Sequence, residues 1–500
     1  MQYVKLDTLY EDLKSRLRSL SLDLSPVHAA RRRVDEALHG NQAYYGINTG
    51  FGALAQKRIP PDQLLQLQKN LLLSHSVGVG DLVPKEISRL MLLLKLHSLG
   101  LGYSGISAET FERLLCFAHM ELIPAVPTRG SVGASGDLAP LAHLCLPLIG
   151  LGCFWDESGA GTVPAQQVLA QQGLEPLTLQ PKDGLSLING TQLMSSYGAY
   201  VLEKCRNLVT VADLVCAMSV EALRGSACPF DPRVQELRPD PGQALVAENV
   251  RILLRDSEIL DSHRNCGKVQ DPYCLRCAPQ VHGAVRDALV FSSGTVEVEI
   301  NAVTDNPLVL ENGDILSGGN FHGEPLALAL DFAAIALSEL AAISERRTYL
   351  LLEGQDGLPK LLMRETGINS GFMMPQYTAA ALVSENKVMS HPASVDSIPT
   401  SLGQEDHVSM GSISALKLLP VFRNVECVLA IELFTAAQAL DFRKPLRPGR
   451  GVEIAHDYVR SLIPHKEADH LLQEDLRECI RAVQSPELVA VMRAAVGRLN

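Results

Sequence analysis

Ala134, Ser135 and Gly136 lie within residues 130–144 (GSVGASGDLAPLAHL), where small residues surround a hydroxyl and precede an apolar run. By composition alone, a Gly-Ser loop before a helix is more often a turn or a phosphate cradle than a reacting centre. Two ordinary chemistries fit poorly here. No Lys-Ser or Lys-Thr follows the glycines, as a phosphate loop requires, and Asp137 would repel an anion. Gly133-Ala134-Ser135-Gly136-Asp137 also lacks the last glycine of a Gly-x-Ser-x-Gly nucleophile elbow. Backbone cyclisation suits these residue types better. The amide nitrogen of Gly136 attacks the Ala134 carbonyl with loss of water, and Ser135 then loses its hydroxyl as a second water. The product, 4-methylideneimidazol-5-one, carries an electrophilic methylene that no ordinary side chain supplies, and it needs no added cofactor. Glycine at 136 lets its nitrogen approach without a Cβ in the way, serine carries the hydroxyl to be eliminated, and alanine is small enough for a tight ring.

Residues 130–142 are similar to the signature of the aromatic amino-acid ammonia-lyases and aminomutases. The likeness extends to 45–52 (YGINTGFG), 189–192 (NGTQ), 268–273 (KVQDPY), 317–322 (SGGNFH) and 404–407 (QEDH), so it covers roughly residues 40 to 445. It implies deamination of an amino acid through the ring made from Ala134, Ser135 and Gly136, with Tyr45 as the general base that takes the β-proton. That role is awkward for a free phenol, whose pKa is about 10; nearby positive charge or helix N-termini would have to lower it. By the same resemblance Arg276 grips the substrate carboxylate, a bidentate task suited to a guanidinium. Asn189, Gln270 and Tyr273 form the polar set around the amine and the ring oxygen, with Tyr273 counted beside Tyr45 at the chemical step. Phe321 packs against the ring. His322 reads as a helix cap or core histidine as readily as a reacting one. Addition through the substrate amine is the expected route, attack by a substrate ring stays open, and an aminomutase would return the ammonia to the β-carbon.

Within the family, the pair facing the substrate ring sorts substrates: Phe-Leu resembles phenylalanine enzymes, His-Leu tyrosine enzymes and Ser-His histidine enzymes. This chain has Ser74-His75, and Glu405 stands where phenylalanine and tyrosine enzymes carry glutamine. A carboxylate satisfies an imidazole N–H, whereas beside a phenyl ring it would be buried unpaired at a cost of a few kcal/mol. The resemblance therefore implies L-histidine, bound by His75 and Glu405, going to trans-urocanate and ammonia as the first step of histidine degradation. Cys274 and Cys277, with Cys266 and His263 nearby, form a single Cys-x-x-Cys without a second pair. That is weak evidence for zinc and would place Arg276 inside the metal loop, so no metal is expected.

A site of this kind needs rigid elements behind it. Residues 86–99, 199–223, 326–352 and 421–440 carry helical periodicity without Gly or Pro breaks. Helices that are hydrophobic on more than one side must pack against several neighbours, which suggests a large bundle and contacts between subunits. Between them lie Gly-, Ser- and Asn-rich pieces at 44–52, 128–137, 188–192, 317–324 and 369–372, and Trp155 falls in an expected connecting loop, 150–164. The expected fold class is mainly α, a long-helix bundle of the ammonia-lyase type with a smaller loop-rich N-terminal active-site region. Residues 1–200 would carry the Tyr45 and Ser135 loops and 201–500 the bundle. The resemblance adds a homotetramer whose subunits share each active site. A net charge of −12 argues against nucleic acid or an anionic membrane surface as partner. Eleven cysteines, an odd number, and a start at MQYVKLDTLY without a basic then apolar leader point to a cytoplasmic protein with reduced thiols. The apolar stretch 326–340 is interrupted by Asp331 and Glu339, so no membrane segment is expected.

Overall fold

The computed structural model describes residues 3–40, 42–52 and 55–500; Met1 and Gln2 of the MQYVKLDTLY opening lie outside the described residues. Among those described are twenty α-helices and six short strands, the strands forming three two-stranded antiparallel ribbons. The longest helices are Gln192–Ala222, Ala278–Ile300, Glu324–Leu352 and Gly411–Asp441. Gly411–Asp441 runs through Pro420, where local rules would start a new helix. The lost i→i−4 bond is tolerated because Val421, Phe422, Val425, Val428 and Leu429 beyond it are all buried, and that burial outweighs one hydrogen bond. Trp155 sits in a ribbon instead of an irregular loop. Cys153–Trp155 pairs with Thr162–Pro164, and the Asp156 N–H closes the turn on the Gly161 carbonyl at 3.0 Å.

Contacts divide the chain into two compact units, one of 1–203, 292–331 and 392–416, the other of 204–291, 332–391 and 417–500. In the first, the helix Lys85–Leu99 is buried along most of its length, and Ala134, Val408 and Met410 form a small core at the Ala134-Ser135-Gly136 loop. In the second, charges are buried in paired networks. Arg347 makes a bidentate pair with Glu432 at 2.6 and 2.8 Å, and Ser219 donates to the same carboxylate at 2.6 Å. Asp213 accepts from His282, Arg286 and Asn249 at 2.6–2.9 Å. Breaking such a pair would strand a buried charge.

Glu324–Leu352 is long and apolar enough to cross a membrane by length and composition, yet 67% of its most apolar window is buried inside the molecule. Asp331, Glu345 and Arg347 on that helix are buried and bonded: Asp331 accepts the Ser394 N–H at 2.8 Å, and Glu345 accepts from Gln376 at 2.7 Å. These are the features of a core helix.

Candidate active site

The Ala134-Ser135-Gly136 loop is braced by main-chain bonds from three distant segments of the first unit. Met410 N–H donates to the Val132 carbonyl at 2.9 Å, Ser409 Oγ to the Gly133 carbonyl at 3.0 Å and Ser412 Oγ to the Ser131 carbonyl at 2.6 Å. Gly323 N–H reaches the Gly133 carbonyl at 3.4 Å, and Asp137 N–H donates to the Gly190 carbonyl at 2.7 Å. Gly136 has φ +74°, and a Cβ placed on it would lie 2.0 Å from the Gly190 oxygen. Only glycine fits there, as ring closure through its nitrogen requires.

Four helices begin at this loop. Leu138–Cys145 follows it directly, Gly411–Asp441 and Glu324–Leu352 start beside the residues that brace it, and the first N–H groups of Gln192–Ala222 bind its aspartate. Asp137 Oδ2 accepts Leu193 and Met194 N–H at 2.9 and 3.1 Å, acting as a cap supplied from another segment. Burial pushes its carboxyl up to about 7, against those two bonds and the Ser131 hydroxyl. Helix N-termini bring partial positive charge to the loop, which favours electron density gathering there. His322 caps the Glu324 helix, its Nδ1 accepting the Glu324 N–H at 3.3 Å while Nε2 donates to the His407 carbonyl at 3.2 Å. Phe321, half-buried, immediately precedes it.

Ser135 Oγ donates to Glu405 Oε1 at 2.8 Å, and Thr400 Oγ1 donates to Glu405 Oε2 at 2.5 Å. A short bridge between Thr400 and Glu405 presents the carboxylate, and within it Ser401 and Leu402 have φ of +50° and +56°. Non-glycine residues there cost on the order of 1–3 kcal/mol each, a strain typical of segments held for function. Glu405 is also the charge felt by both other groups on this side. Burial raises the Tyr45 phenol above its ordinary range; the Gly52 N–H, 3.1 Å from its oxygen, opposes this and Glu405 adds to it. Burial lowers the His75 imidazole, with the Leu71 carbonyl and Glu405 opposing. His75 Nδ1 lies 2.9 Å from the Leu71 carbonyl, which can only accept, so the ring hydrogen sits on Nδ1 and Nε2 is left as an acceptor. Asn189 ends the helix Asp183–Ile188, is 4% exposed, and keeps a buried side-chain oxygen with no hydrogen-bond partner among the described residues.

Tyr45, His75, Ser135 and Glu405 are thus brought together, with Asn189 and Gly190 against the loop. Gln270, Tyr273 and Arg276 belong to the second unit. Arg276 Nε donates to the Asp271 carbonyl at 2.9 Å, and its guanidinium lies 4.4 Å from the Tyr273 ring centroid. Tyr273 is 70% exposed, and Gln270 is exposed in a cavity of about 800 Å³ that Lys268 and Asp271 also line. Cys266, Cys274 and Cys277 are free thiols. Sequence reasoning passed over Asp137 as a cap, Thr400 as the partner of Glu405, and Lys95. Only Lys95 left a trace, as a lone charge inside the apolar run LMLLLKLHSL.

Residues 15–461 match the aromatic amino acid lyase family. The chain belongs to that family. Histidine ammonia-lyase of Gloeobacter violaceus is 49% identical over 97% of this chain and 94% of its own length. The crystal structure of histidine ammonia-lyase from Trypanosoma cruzi superposes with a TM-score of 0.87 at 42% identity, covering 94% of this chain and 89% of that one. A tyrosine aminomutase from Streptomyces globisporus superposes with a TM-score of 0.88 at 34% identity, over 95% and 94%. The mainly helical architecture is therefore that of the aromatic amino acid lyases, and the chain is a lyase of this kind.

Proposed function

We propose that this aromatic amino acid lyase removes ammonia from L-histidine to give trans-urocanate, the first step of histidine degradation. The observation that carries the reading is the 2.8 Å contact between Ser135 Oγ and Glu405 Oε1. It sets a carboxylate acceptor directly against the residue from which the electrophile is made. When the hydroxyl leaves, Oε1 loses its donor and becomes available to a substrate imidazole N–H, a charge-assisted bond that a phenyl ring cannot offer. The names of the relatives point the same way.

Ala134, Ser135 and Gly136 fit 4-methylideneimidazol-5-one: position 136 admits only glycine, and helix N-termini surround the loop. That ring supplies an electrophilic methylene that converts the substrate amine into a leaving group. The chain's own side chains do the rest. Asn189 offers its unpaired oxygen to an ammonium N–H, Tyr45 takes the β-proton, and His75 with Glu405 holds the imidazole. Gln270, Tyr273 and Arg276 complete the site around amine and carboxylate, and Phe321 packs on the ring. The proposed assembly is a homotetramer in which several subunits contribute to each site. We place the enzyme in the cytoplasm.

Freshly purified, active protein is expected to weigh less than its sequence by two waters and to raise urocanate absorbance from histidine. A full unmodified mass in active protein would remove the electrophile from the mechanism, and a β-amino acid product would make the enzyme an aminomutase. Selectivity provides a further test. Glu405→Gln keeps the shape but exchanges an ionic acceptor for a neutral one, so kcat/KM for histidine should fall roughly tenfold while rejection of phenylalanine softens. Adding Ser74→Phe and His75→Leu removes the remaining polar demand on the ring. The ratio of kcat/KM for phenylalanine over histidine should then rise beyond the sum of the separate changes, because neighbours couple. An unchanged ratio in protein that still loses both waters would place ring recognition elsewhere.

A further inference from the structure

Behind the Asn189-Gly190 turn lies a second layer of charge. Lys95, Lys182, Asp305 and Asp137 are all buried, and Lys182 is paired with Asp305 at 2.7 Å and bonded to Ser186 Oγ at 3.1 Å. Lys95, 1% exposed, is used differently. Its ammonium donates to the main-chain carbonyl of Asn189 at 2.7 Å, and among the described residues no carboxylate comes within salt-bridge distance of it. Burial pulls it down to about 8, with Asp305 opposing. An ammonium held in the interior by a carbonyl alone is costly compared with a methylene chain of the same volume, and such a cost needs a compensating role.

The bonds leading away from Lys95 supply one. Lys95 fixes the Asn189 carbonyl and hence the plane of the peptide joining Asn189 to Gly190, where Gly190 has φ +137°. The next carbonyl, that of Gly190, accepts the Asp137 N–H at 2.7 Å and lies so close to Gly136 that a Cβ there would be 2.0 Å away. Gly136 is the residue whose nitrogen must attack. We propose that Lys95 is a positioning residue for ring closure, holding the Asn189-Gly190 segment as a backstop that keeps Gly136 bent toward the Ala134 carbonyl. This inference rests on the electrophile proposed above. In the step it serves, the Gly136 N–Ala134 C bond forms and the Gly136 amide hydrogen passes to the carbonyl oxygen. That hydroxyl leaves as water with the Ser135 amide hydrogen, giving a C=N bond. Ser135 then gives up its Cα hydrogen and its hydroxyl as the second water, with no net oxidation.

The test is the intact mass of the folded fraction of Lys95→Met, Lys95→Gln and Lys95→Arg beside the parent, followed from cell-free synthesis onward. Lys95→Met should fold, since an apolar chain replaces an ammonium without a carboxylate partner, and at least half of it should keep both waters when the parent has lost them. Lys95→Arg restores a donor to the same carbonyl and should cyclise as the parent does. Turnover should fall in step with the fraction of sites that have lost both waters, an outcome that a merely destabilising substitution would not couple to mass. Complete loss of two waters by folded Lys95→Met at the parental rate overturns the proposal. Should that variant not fold, the same result in Lys95→Gln overturns it. If the parent itself keeps both waters, the electrophile fails, and this inference with it.

Discussion

Ser135→Ala is expected to fold like the parent and to release no urocanate above assay background. An alanine at 135 has no β-hydroxyl, so the second water cannot leave and no methylene forms. Among the described residues the Ser135 side chain makes one hydrogen bond, donated to Glu405. Under the proposed cyclisation that bond goes with the hydroxyl, so its removal would cost the working enzyme nothing. In the variant, Glu405 keeps Thr400 Oγ1 as donor, and being half-exposed it can take water as the other. Circular dichroism should therefore match the parent while the mass keeps at least the water that Ser135 would have lost. Substantial turnover by Ser135→Ala would mean that the electrophile has been misassigned.

Much of this site could be read from the sequence because its chemistry is local. The loop proposed to cyclise is three consecutive residues, and the flanking glycines, serines and asparagines punctuate helices whose periodicity is plain. What was not legible depends on bonds between segments far apart in the chain. The helix read over 199–223 begins at Gln192, because Asp137, more than fifty residues earlier, supplies the acceptor for its first N–H groups. Residues 411–420 join the helix read from Val421, since burial of the whole stretch overrides the local effect of Pro420. Lys95 could be noticed as a charge among leucines, but its partner is a main-chain carbonyl, which no residue type announces. The motif around Asn189 carries the expectation that it serves the site; that its side-chain oxygen has no donor among the described residues is visible only in three dimensions.

Tyr45→Phe should lose the two waters as the parent does and yet turn over histidine at least about a hundredfold more slowly, the low end for removing a general base. The phenol oxygen is remote in sequence from the ring-closing residues, and none of the bonds bracing the 131–137 loop involves it. Its known donor is the Gly52 N–H at 3.1 Å, a bond that stabilises the phenolate, and the Phe51 ring packs edge-on at 6.4 Å. Burial, and Glu405 after it, nevertheless hold the Tyr45 pKa above its ordinary value in the single chain. The expectation of a lowered pKa is thus not met by the groups of the protomer around Tyr45. Binding of substrate, whose ammonium brings positive charge, is a physical means of drawing the proton off. The sign follows for the pH profile. A base with a raised pKa is mostly protonated at neutral pH, so kcat/KM of the parent should climb with pH on the alkaline side before other groups intervene, and Tyr45→Phe should lose that climb along with its rate. Near-parental turnover by Tyr45→Phe, or an unchanged alkaline rise in the variant, would take Tyr45 out of the proton transfer.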